Sequence, residues 1–139
     1  DYSLYQIPLS GFLDKTIETL SSKTDIELET LSTGIINAIS FQKELFGKHI
    51  FSRSIFEGNF RLNSTLFEVW VSESYKLSEP DKSSLLNNKE ALIEEYRNLF
   101  KDDEFLRAVV SYTSGKGAVT TRFTKIKNLI NKYLVWFQE

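Results

Sequence analysis

The sequence predicts an all-helical fold, an irregular bundle of about six helices with a long second helix and a long C-terminal helix. Two observations carry this. Apolar residues recur at spacings of three and four over most of the chain, the period of a helix with one buried face. No segment alternates apolar and polar residues far enough to make a sheet, although Phe67 to Val71 holds enough β-branched and aromatic residues to permit a strand locally.

The elements follow in order. Pro8 keeps the lead-in from Asp1 to Ser10 extended. Phe12, Leu13, Ile17 and Leu20 then mark a short helix that Ser21 and Ser22 end. Thr24 or Asp25 can cap the next helix, with Glu27 and Glu29 complementing its dipole. Its apolar face runs through Leu28, Leu31, Ile35, Ile39 and Phe46 to Gly47, which can take the left-handed conformation that ends a helix. From Lys48 to Leu62 no clean period exists, but Ile50, Phe51, Ile55, Phe56 and Phe60 make this a packed connection with room for a short helix.

Asn63 reads as the cap of a helix carrying Leu66, Phe67, Trp70, Val71 and Leu77, apolar enough to lie at the centre with Trp70 and Phe67 buried. Pro80 is expected to stop it. Ser83, Asn87 and Asn88 offer starts for a fourth helix with Leu92, Tyr96, Leu99 and Phe100 inward. Asp102 and Asp103 cap a short fifth bearing Phe105, Leu106, Val109 and Val110. The loop Thr113 to Gly117 breaks the chain, and Val119, Phe123, Ile126, Ile130, Tyr133 and Phe137 then trace the long last helix.

With 139 residues, 41% of them hydrophobic, the chain can bury a core of its own and reads as a single domain, residues 1–139. The absence of cysteine excludes thiol catalysis and cysteine-ligated metal, and fits a reducing compartment, here the cytoplasm. A lone His49 argues against a triad or a His-rich metal site, so no cofactor and no metal are expected. No apolar run approaches the roughly 18 residues of a membrane span. The chain has no methionine and starts at Asp1, which predicts a piece excised from a longer protein.

Candidate chemistry is sparse. Gly115-Lys116-Gly117 precedes a helix and can offer amides and a lysine to a phosphate, but it lacks the full phosphate-loop spacing and reads as a plain helix connector ahead of a phosphate contact. Glu90, Glu94 and Glu95 fit a solvated helix face, and Asp102, Asp103 and Glu104 fit capping. Glu68 stands in the most apolar helix, where a carboxylate needs a partner or a task; Arg53, Arg61 and Arg97 are candidate partners. His49 sits at a helix end and is given no role.

Charge is distributed unevenly. From Phe105 onward six basic residues, Arg107, Lys116, Arg122, Lys125, Lys127 and Lys132, face a single Glu139, a formal +5, so the remainder carries −7. Lys116, Arg122, Lys125 and Lys132 are therefore candidate phosphate or DNA contacts. The same charges can instead neutralise the acidic first part of the chain.

Several short motifs together resemble a known family. They are Glu44-Leu45-Phe46-Gly47, Ile50-Phe51, Asn63-Ser64-Thr65-Leu66-Phe67-Glu68, Asp103-Glu104-Phe105, and Ser111-Tyr112-Thr113-Ser114 leading to Thr121-Arg122-Phe123. From about Phe12 to Tyr133 the chain resembles the helical C-terminal portion of the domain of unknown function 262 family, which includes the GmrS half of modification-dependent restriction enzymes. The resemblance implies an upstream ParB-like nuclease domain, whose acidic, Gly- and Gln-rich motif is not in this sequence, and a parent in restriction or phage defence. It further implies a non-catalytic role for this piece, packing on that nuclease or NTPase domain and assisting contact with DNA or a partner subunit. Asn63, Phe67, Glu68, Thr113 and Arg122 match the recurrent positions, with Glu68 and Arg122 suited to form a structural polar pair. A free-standing helical protein-interaction module is the alternative.

Overall fold

The computed structural model describes residues 5, 9–58 and 60–134, apart from the side chains of Phe56 and Glu57. Its described residues form seven α-helices of eight or more residues and one of a single turn: α1 (Leu9–Ser21), α2 (Asp25–Phe46), α3 (Ser54–Glu57), α4 (Ser64–Tyr75), α5 (Glu79–Asn87), α6 (Lys89–Leu99), α7 (Asp103–Val110) and α8 (Lys116–Asn131), with a 3-10 turn at Gly47–His49 after α2. The fold is an irregular all-α bundle. The only extended pairing among these residues is an isolated antiparallel bridge between Ser52 and Leu62.

Local chemistry sets the helix starts. Thr24 caps α2 through a reciprocal pair: its hydroxyl accepts from the Glu27 amide while the Glu27 carboxylate accepts from the Thr24 amide at 2.8 Å. Ser78 and Asp81 repeat the device on α5. Asn63 caps α4 by accepting from the Thr65 and Leu66 amides, and Asp102 caps α7 through the Glu104 and Phe105 amides. Gly47 follows α2 with φ of +56°, a conformation in which a Cβ would be strained.

The core is organised around α4. Antiparallel α2 packs along it, close enough at Gly34 that a Cβ there would stand 2.3 Å from the Tyr75 ring. An aromatic column runs through the centre. Phe46 of α2 meets Trp70 of α4 at 4.9 Å between ring centroids, Trp70 meets Tyr96 of α6 edge-on at 5.1 Å, and Tyr96 leads through Phe100 to Phe105 of α7. Trp70, Tyr96, Phe100 and Phe105 are all buried, with Leu45, Leu66, Leu85, Leu92 and Ile126 filling the gaps. Beside the column, the buried Gln42 donates from its amide to Ser74 across the α2–α4 contact.

Several expectations are corrected. Phe67 is not at the centre: it is 42% exposed, and its ring meets that of Phe51 edge-to-face at 5.0 Å between centroids. The reason is register, since on α4 Leu66, Val69, Trp70 and Glu73 share the inward face and Phe67 falls to its side. Pro80 does not stop α4, which ends at Tyr75; it lies in the first turn of α5, where its missing N–H costs nothing. Of the three starts offered for the fourth helix, Asn88 is the one used, as the cap of α6, and ahead of it Glu79–Asn87 form a helix, α5, that was not expected. Helix α1 starts at Leu9, so Leu9 and Ser10 are helical rather than extended, while Pro8 lies outside the described residues. Lys116 and Gly117, expected in the loop, form the first turn of α8 behind the cap Gly115. That helix ends at Asn131, with Tyr133 in the turn after it and Phe137 outside the described residues.

Trp70→Ala should destabilise the domain by about 3–5 kcal/mol, the range for deleting a large core aromatic. Phe67→Ala should cost about 1 kcal/mol, the size of one aromatic edge contact. Urea melts of the two variants test the placement, and equal losses would contradict it.

Candidate functional site

Arg122, two turns into α8, is a buried charged group with four hydrogen bonds. It is only 3% exposed. Helix α8 buries Val119, Phe123, Ile126, Leu129 and Ile130, and Arg122 lies at the border of that face, aimed between α4 and α7. Its Nε donates to Glu68 Oε2 of α4 at 3.1 Å, and Nη2 donates to the same carboxylate oxygen. Nη1 donates to the Thr113 carbonyl at 2.6 Å and to that of Ala108 at 3.5 Å. One guanidinium thus ties α8 to α4, to the end of α7 and to the following loop. A fixed planar fork of donors is what such a junction needs, and an ammonium does not supply it.

A second polar junction adjoins this one. Asn63 caps α4 with its carbonyl oxygen, and its Nδ2 donates to the Val109 carbonyl at 3.3 Å, where the Thr65 hydroxyl also donates at 3.1 Å. The loop after α7 is held in an unusual shape: Tyr112 has φ of +52° and its side chain is 94% exposed. Asn63, Glu68, Thr113 and Arg122 are therefore brought together at one α4–α7–α8 junction, whereas Phe67 points away from it.

The basic C-terminal helix divides into two groups. Lys125 reaches Asp102 at 2.7 Å and Glu104 at 3.7 Å at the start of α7. Lys132 pairs with Glu95 of α6, whose other carboxylate oxygen accepts from the Tyr133 hydroxyl at 2.9 Å. With Arg122 on Glu68, three of the four candidate phosphate contacts are engaged by carboxylates from the acidic first part of the chain. Arg122 is also buried, so it is withdrawn from any phosphate. Lys116 is exposed, as are Arg107 and Lys127, and these three form no ion pair among the described residues.

The pairings move proton equilibria in consistent directions. Lys132 first, then Tyr133, holds the Glu95 carboxyl below its ordinary range against the opposing effect of burial. Lys125 and the two capped amides do the same for Asp102, and Asp102 in turn raises Lys125. Burial, with Glu95 beside it, pushes the Tyr133 hydroxyl up to about 12.

Comparison with known proteins gives a short answer. No family model, curated protein or solved structure matches this chain. The chemistry must therefore be read from the geometry alone. No group of three His, Asp or Glu able to hold a metal exists among the described residues, and no described helix is long and apolar enough to cross a membrane. His49 Nδ1 lies 2.8 Å from the Ser54 hydroxyl, but Ser54 is buried and the imidazole stacks on Phe60 at 5.7 Å, so the pair clips the connection between α2 and α4. Glu68 has a partner in Arg122, whereas Arg97, one of the expected partners, donates to Glu94 and to the Ile55 carbonyl.

Arg122→Ala should cost about 3–5 kcal/mol, because a carboxylate and two carbonyls lose a buried charged donor. Glu68→Gln should cost about 1 kcal/mol, since its side chain is 42% exposed and water can replace part of what is lost. Chemical denaturation of both variants checks the asymmetry. Glu95 and Asp102 have lowered folded-state values, so their pairs contribute stability above the ordinary carboxylate pKa of about 4 and lose it as pH falls through the lowered values. The acid side of the stability profile should accordingly be shallower in Lys125→Gln and Lys132→Gln than in the parent, measured by melting between about pH 2 and 6.

Proposed function

We propose that this chain is a non-catalytic helical interaction module, which docks on its partner through α1. The single observation that carries the reading is the apolar stripe of α1. Leu9, Leu13, Ile17 and Leu20 recur at helical spacing, yet α1 contributes no buried residue to the bundle, and these four side chains remain 36–61% exposed. An amphipathic helix that leaves its apolar stripe in water is stable only at a cost, which a partner surface removes. Only its edge is covered, where Phe12 reaches the bundle and meets Tyr5 at 5.2 Å.

The resemblance to the helical portion of the domain of unknown function 262 family supports placing the module in a restriction or phage-defence protein of the cytoplasm. In that setting the partner is an upstream ParB-like nuclease or NTPase domain, or a partner subunit, and any nucleotide or DNA cleavage belongs to that partner. Direct DNA contact is a second reading, favoured by the exposed Arg107, Lys116 and Lys127. Engagement of Lys125 and Lys132 by carboxylates weighs against it.

Leu13→Glu with Ile17→Glu should leave the melting temperature close to that of the parent, because both side chains already meet solvent. A large loss would show that the stripe is needed within the fold and remove the observation behind the reading. Anisotropy of labelled duplex DNA at about 50 mM salt, where phosphate-driven binding is strongest, should show no salt-sensitive complex. A complex abolished by Arg107→Glu, Lys116→Glu and Lys127→Glu together would put the DNA reading in its place.

A further inference from the structure

Resting on that docking reading, we infer that the occupant of the α1 stripe is a basic amphipathic helix of another protein or domain, and neither a second copy of this chain nor an anionic membrane surface. The argument is charge placement around the apolar stripe. At 100° per residue, Leu9, Leu13, Leu20 and Ile17 span one side of α1, and Phe12 and Thr16 lie at the edge that leans on the bundle. The open edge, beyond Ile17, is bordered by Asp14 and Glu18, both exposed. Lys15 lies past the covered edge.

The surroundings extend the same sign. From Leu9 to Thr30 five carboxylates stand against two lysines, and one of those, Lys23, is 3.6 Å from Glu27. The first turns of α2 add exposed Ile26 and Leu28 among Asp25, Glu27 and Glu29. This corner of the molecule offers apolar contact inside an acidic rim. A helix with a leucine face and lysine or arginine flanks complements both features.

Two other occupants fit less well. In an antiparallel pairing of α1 with its copy, the open edges of the two stripes face each other, which sets Asp14 and Glu18 against Asp14 and Glu18. The parallel pairing needs the Phe12–Thr16 edge, which the bundle already covers. An anionic bilayer meets the same acidic rim and is repelled by it.

The test uses two labelled 18-residue helical peptides with the same leucine stripe, one flanked by Lys and Arg and one by Glu, titrated with the whole chain. The basic peptide should bind at least about tenfold tighter than the acidic one, and salt raised from about 50 to 500 mM should shrink that preference as screening demands. Asp14→Lys with Glu18→Lys, both at exposed positions, should reverse the preference, with circular dichroism confirming that the fold is kept. Equal binding of the two peptides, lost in Ile17→Glu, would overturn the basic partner while leaving the stripe as a docking face. Binding of neither peptide would overturn both. Sedimentation showing self-association that Ile17→Glu removes, or co-sedimentation with vesicles containing phosphatidylserine, would likewise overturn the inference in favour of a second copy or a membrane.

Discussion

The aromatic column from Phe46 through Trp70 and Tyr96 to Phe105 is the contact on which the bundle depends. Its members come from α2, α4, α6 and α7 and the turn between the last two, so no pair of neighbouring helices could bury them alone. Large rings meeting edge-on give both area and orientation, and they fix how four helices cross without the long parallel seams of a regular bundle. The irregularity of the fold follows from this. Helices α5 to α7 are 8 to 11 residues long, too short to be stable by themselves, and are held by what each buries: Leu85 of α5, Leu92 and Tyr96 of α6, Phe105 and Val109 of α7.

Arg122 solves a different problem. The end of α7 and the loop behind it leave the carbonyls of Ala108 and Thr113 near the core, and buried carbonyls need donors. A guanidinium supplies them from α8 while its charge is met by Glu68, whose exposed half stays in water. The half-exposed carboxylate keeps the desolvation cost below that of a fully buried pair. The same junction takes Arg122 out of the basic surface. Together with the pairs made by Lys125 and Lys132, it neutralises half of the six basic residues of that stretch and leaves Arg107, Lys116 and Lys127 exposed.

Helix α1 stands apart from both arrangements. It shares the amphipathic pattern of α8, yet α8 buries its stripe on α4, α6 and α7 and α1 does not. The difference is one of available surface: α4 is already covered by α2 and α8. Only Phe12, at the edge of the stripe, finds a place beside Tyr5. What is left exposed has the form of a contact surface, with the apolar centre and charged rim common to docking faces.

Helical class, most boundaries and most inward faces were legible in the residues themselves, because the 3.6-residue period and the caps at Thr24, Asn63 and Asp102 act locally. The inward positions of Leu92, Tyr96, Val119, Phe123 and Ile126 follow from spacing alone. A Glu68–Arg122 pair could be suggested from the sequence, but its character could not. The acid is the exposed member and the arginine the buried one, since that depends on α7 ending where its carbonyls need a donor. The same holds for Phe67, which follows Leu66 in the most apolar helix, so that its own hydrophobicity hides the register that turns it outward. Amphipathic patterning announces that a face wants covering, and only the packing of the other helices decided that α8 is covered within the chain and α1 is not.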